Sequence, residues 1–131
     1  MALTRPLQEW LTVLVYGSGA GATYTIVQPS SGIMDAGQQQ EAVFDVQLLG
    51  YCSFVNANHS LILQTASCAE GPWREITHVD AAPATQVRIL ADAKAGSGAS
   101  NKFERYLRWV IHAAGVTLPL DTTFKICVSL R

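Results

Sequence analysis

Phe124, Ile126, Val128 and Leu130 alternate with Lys125, Cys127, Ser129 and Arg131, the period of two that a strand shows when one face lies in a core and the other in water. Phe44, Val46 and Leu48 repeat the alternation, as do Leu107, Trp109 and Ile111, and Gly, Pro, Ser or Asn separates the runs. This pattern predicts an antiparallel all-β domain. Strands are expected over residues 11–16, 23–28, 41–49, 51–55, 60–65, 73–77, around Val87 and Ile89, and over 104–112 and 122–131. Between them, residues 29–32 and 56–59 read as turns, and residues 69–72 join two strands through a loop too long for a two-residue hairpin. Pro83 and Pro119 are expected to break the chain, and residues 94–101, nearly all Gly, Ala and Ser, read as a surface loop.

The opening segment is ambiguous. Leu7, Trp10, Leu11 and Leu14 fall at helical spacing, whereas Thr12, Val13, Val15 and Tyr16 favour extended structure, and strand is preferred from residue 11. Residues 17–22 then read as a link. The expected architecture is two antiparallel sheets packed face to face, a β-sandwich of jelly-roll type over residues 41–131, preceded by an N-terminal arm or added hairpin over residues 1–40. Trp109 shares its face with Leu107 and Ile111 and belongs in the core.

Composition narrows the functional classes. The chain of 131 residues has a net charge of −1, is 49% apolar and only 15% charged, against about 25% charged in typical soluble proteins. A domain of this size has much surface to cover, so the shortage of charge implies that other protein covers part of it. Dispersed Lys and Arg without a basic stripe argue against a nucleic-acid partner. The apolar run at residues 10–16 after Arg5 imitates a secretory signal poorly, and no segment approaches the roughly 20 apolar residues of a membrane span. Three cysteines, Cys52, Cys68 and Cys127, have neither disulfide-framework nor zinc-knuckle spacing, which fits a reducing compartment such as the cytoplasm.

No arrangement of residues announces catalysis. His59, His78 and His112 lack metal-ligand spacing, no GxSxG elbow is present, and G-S-G-A-G at residues 17–21 lacks the Lys-Ser/Thr ending of a phosphate loop. No enzyme activity, cofactor or metal is expected. Trp73, Tyr106 and Arg108 are the candidates for contact with another molecule, because outward-facing aromatic and Arg side chains either stack on sugars or anchor subunit interfaces.

Three stretches carry a resemblance. Residues 61–67 (Leu-Ile-Leu-Gln-Thr-Ala-Ser), 70–76 (Glu-Gly-Pro-Trp-Arg-Glu-Ile) and 105–111 (Arg-Tyr-Leu-Arg-Trp-Val-Ile) are similar to a pattern in jelly-roll proteins of tailed-bacteriophage particles, in which a Leu-Gln-Thr strand meets a Gly-Trp hairpin and an Arg-Tyr-Leu-Arg strand crosses the sheet. Related modules serve as capsid decoration or cement proteins, and more distant ones bind carbohydrate in the discoidin manner. The resemblance covers about residues 41–131. It implies a structural virion protein made in a host cytoplasm, most simply a homotrimer on the major capsid protein, with Trp73, Arg74, Tyr106 and Arg108 as interface or ligand residues. A carbohydrate-binding module and a tail or neck component are the alternatives.

Overall fold

A computed structural model describes residues 3–15, 22–49, 59–80, 86–93, 101–116 and 120–131. The strand expected over 51–55, the break at Pro83, that at Pro119 and most of the link at 17–22, the turn at 56–59 and the loop at 94–101 lie outside the described residues. The chain forms strands β1 (Leu3–Val15), β2 (Ala22–Val27), β3 (Met34–Asp35), β4 (Glu41–Leu49), β5 (His59–Ala66), β6 (Arg74–Asp80), β7 (Gln86–Asp92), β8 (Tyr106–Val116) and β9 (Leu120–Leu130). They build a four-stranded sheet in the order β1-β9-β4-β7 and a five-stranded sheet in the order β2-β8-β5-β6, with β3 also on β8.

The pairings are nested. β1 pairs with β9, β2 with β8, β4 with β7 and β5 with β6, all antiparallel, so the chain forms one long two-stranded ribbon. Wrapping that ribbon brings β4 onto β9 and β5 onto β8 and produces a jelly-roll β-sandwich. Its core is the set of inward positions that the period-two pattern marked. Phe44, Val46, Phe124, Ile126 and Val128 of one sheet meet Leu61, Leu63, Leu107, Trp109 and Ile111 of the other, all buried. Each such side chain contributes about 1.5–3 kcal/mol by leaving water.

The N-terminal forty residues, expected as an arm or added hairpin before a sandwich starting at residue 41, are instead strands of the sandwich. β1 and β2 do not pair with each other; they form the first strand of each sheet. β1 departs from simple alternation for a local reason. Its register with β9 shifts between Pro6 and Gln8 and again between Gln8 and Leu11, so extra residues change which face each side chain takes. Leu7 is buried, Leu11 and Val13 pack on the core, and Trp10 and Leu14 face out. The helix-like spacing of the leucines is the imprint of these bulges.

Gln28 fastens this segment to both sheets. Its side chain is buried, and its amide nitrogen donates to the carbonyls of Leu7 (2.8 Å) and Gly32 (2.9 Å). Its amide oxygen accepts from the Trp109 N–H (3.1 Å), while its own backbone N–H donates to the Trp109 carbonyl (3.1 Å). A buried amide with its donors and acceptor engaged is stabilising, and one that loses a partner is costly. Gly32 is part of this arrangement, since a Cβ there would lie 2.6 Å from the Gln28 amide nitrogen.

Candidate functional site

The four site residues expected from sequence lie on or beside the outer face of the five-stranded sheet, although they do not form one cluster. Arg108 follows Trp109 on β8 and therefore points away from the core. Its Nε donates to Gln64 Oε1 on the adjacent β5 at 2.8 Å. Trp73 precedes β6 and folds back over this pair, placing its ring 4.2 Å from the Arg108 guanidinium carbon. Gly71 makes that fold possible: its φ is +95°, and a Cβ would sit 2.9 Å from Trp73 Cδ1. Partial burial pushes the Arg108 pKa down, but a guanidinium keeps its charge at neutral pH. The product is a half-buried cation stacked against an indole and hydrogen-bonded at its edge to an amide oxygen.

Tyr106 shares the outer face two residues before Arg108, and its ring lies 5.2 Å from the guanidinium carbon of Arg105. Arg74 engages a different segment, with Nε 3.8 Å from Glu104 Oε1 and a long bond of 3.5 Å from Nη1 to the Lys102 carbonyl. The structure thus unites Trp73 with Arg108, flanks them with Tyr106, and directs Arg74 elsewhere. Both aromatic rings have one face occupied by an Arg of this same chain, which leaves less ring for a sugar and suits a preorganised contact surface.

Arg105 also forms the most complete ion pair described. Its Nε and Nη2 donate to the two carboxylate oxygens of Asp35, each at 2.9 Å, and the Gly37 N–H donates to Asp35 Oδ1 at 2.8 Å. The bonds from Arg105, then that from Gly37, hold the Asp35 carboxyl below its ordinary 3.8. A group whose pKa is depressed on folding stabilises the fold above its unfolded pKa, and this stabilisation is lost as pH falls through the folded value. Asp35→Asn is therefore expected to lower the melting temperature slightly near pH 6, by about 2 °C because the pair is exposed, and to leave it unchanged near pH 2. Thermal melts of both proteins at the two pH values check this, and an equal deficit at both would show that charge is not the cause.

The histidines are dispersed. His78 Nδ1 lies 3.3 Å from Glu75 Oε2, and His112 Nδ1 lies 3.4 Å from Thr25 Oγ1. Among the described residues no three His, Cys, Asp or Glu side chains gather as a metal site. Cys68 and Cys127 are free thiols, and among the described residues no helix is long and apolar enough to cross a membrane. The sequence reading passed over the outer face of the other sheet, where Asp45, Gln47, Gln86, Arg88, Lys125 and Cys127 line a concavity of about 630 Å³. Their position in the outward phase of β4, β7 and β9 was visible, but their assembly depends on strand order. No family model matches this chain, and neither curated proteins nor solved structures give a match.

Proposed function

We propose that this chain is a structural virion protein, a capsid decoration subunit that binds the major capsid protein of a phage-like head as a homotrimer. The observation that supports it is the state of the sheet edges. β1 and β7 bound one sheet and β2 lies at the edge of the other, and these strands present Leu14 (54% exposed), Leu90 (65%) and Val27 (44%). Natural monomers blunt their edges with charge, proline or cover, as Arg5, Pro6 and Glu9 do for the first half of β1 and Arg88 for β7, but the exposed Leu14, Val27 and Leu90 on a charge-poor chain suit protein on the outside.

The topology suits a ring. Four antiparallel strands give the sheet outer strands that run in opposite directions, so β7 of one copy can meet β1 of the next as an antiparallel pair, and repeating that head-to-tail join with a rotation that closes on itself makes a ring. Apolar area covered in this way contributes about 25 cal/mol per Å² to holding a shell together. The expected result is that light scattering gives a trimer mass, and that mass spectrometry and a cryo-electron map of purified particles place the chain on the head. A monomer at high concentration, or particles lacking the chain, would sink the reading, and density at the tail or neck would move the protein there.

A further inference from the structure

The outer face of the four-stranded sheet carries its side chains in transverse rows. Lys125 on β9 stands opposite Gln47 on β4, and Gln47 opposite Gln86 on β7. Two residues along, Cys127 stands opposite Asp45, and Asp45 opposite Arg88. These six side chains line the concavity of about 630 Å³. Trp10 of β1 continues the first row on the far side of β9, with its ring centroid 5.8 Å from Lys125 Nζ and 44% of the residue exposed. Three interstrand spacings separate Trp10 from Gln86, about 14 Å.

The lining selects a ligand class. A drug-like apolar ligand would require an apolar floor, whereas this floor is amide, carboxylate and cation. Two Gln amides offer donors and acceptors together, which matches hydroxyl groups that are both. The exposed indole has the Lys125 ammonium over one face at 5.8 Å, farther than the guanidinium over Trp73, and offers its other face to the C–H face of a sugar ring. Charge narrows the class further. Arg88 Nε is 3.4 Å from Asp45 Oδ1 and is neutralised by it; no carboxylate among the described residues pairs with Lys125. The complement of the remaining charge is an acidic group on the ligand.

We propose that this face binds an acidic oligosaccharide, with one ring stacked on Trp10, a carboxylate on Lys125, and hydroxyls bonded to Gln47, Gln86 and the Asp45–Arg88 pair. The length of the row fits a short chain of sugars rather than a single one. The site lies on the sheet opposite Trp73 and Tyr106, and it stands whether or not the chain is a virion protein.

Calorimetric titration of the full chain with tetragalacturonate, 3′-sialyllactose and neutral maltotetraose tests this. At least one acidic sugar is expected to bind with Kd of about 0.1–1 mM and maltotetraose about tenfold more weakly or not at all, with affinity falling as salt rises. Trp10→Ala should abolish measurable binding and Lys125→Gln should remove the preference for acidic sugars, while Trp73→Ala leaves both intact and all three variants melt near the parent temperature. In a Cys52→Ser/Cys68→Ser background, bound sugar should also slow alkylation of Cys127 by iodoacetamide. The proposal is overturned if no sugar binds, if maltotetraose binds as well as the acids, if binding follows Trp73 instead of Trp10, or if a bound sugar leaves Cys127 alkylation unchanged.

Discussion

Removing residues 1–40 is expected to leave a chain that does not fold. The deletion takes away β1, β2 and β3 together. β9 then loses the partner it holds from Leu3 through Val15, and β8 loses the strands on one side. Leu7, Met34 and Ala36 vanish from the core, along with the packing of Leu11, Val13 and Ile26. Burying a large aliphatic side chain is worth about 1.5–3 kcal/mol, so the combined loss rivals the 5–15 kcal/mol that holds a typical domain together. The Gln28 amide would go too, stranding the buried N–H and carbonyl of Trp109. Circular dichroism and a nitrogen–proton correlation spectrum of residues 41–131 check this. A dispersed spectrum with a cooperative melt would show that the remaining strands suffice.

Trp109→Ala is expected to cost about 3–5 kcal/mol, a fall in melting temperature of about 10–20 °C for a chain of this length. Trp109 is among the largest fully buried side chains and reaches from its own sheet to partners on the other. Its ring meets Phe124 of β9 edge-on, with centroids 4.9 Å apart at 82°, and its indole N–H donates to Gln8 Oε1 of β1 at 2.9 Å. Substitution by Ala therefore opens a cavity between the sheets and orphans an acceptor on the strand that closes the sandwich. Trp109→Phe keeps most of the volume and loses chiefly the bond to Gln8, so its cost should be nearer 1 kcal/mol. Urea denaturation of the three proteins measures the order, and equal midpoints for the parent and the Ala variant would place Trp109 outside the energetic core.

The strands at 41–49, 60–65, 104–112 and 122–131 were legible because an apolar residue recurs at every second position over most of their length, despite the consecutive apolar runs at 61–63 and 109–111, and a period of two assigns each side chain to a face without knowledge of the neighbours. That was enough to predict an all-β sandwich, to seat Trp109 inside, and to set Arg108 and Tyr106 outside. β1 was misread where its bulges break the period, since an inserted residue looks like helical spacing until a partner strand shows the register. Its membership of the sandwich was equally hidden. Leu7 is apolar in any fold, and only the pairing of the first strand with the last, more than a hundred residues away, makes it core.

The same division holds for the surface. Residue types marked Trp73, Tyr106 and Arg108 as candidates and the alternation of β8 set Arg108 outward, but only the pairing of β8 with β5, more than forty residues away, brings Arg108 under Trp73. The row from Trp10 through Lys125 and Gln47 to Gln86 joins four strands drawn from both ends and the middle of the chain. Local period sets the face of Lys125, Gln47 and Gln86, whereas the face of Trp10 depends on the β1 bulges that only the pairing with β9 reveals. Strand order fixes which residues become neighbours, and it is set by how the nested ribbon wraps, a matter of long-range packing that no local pattern encodes.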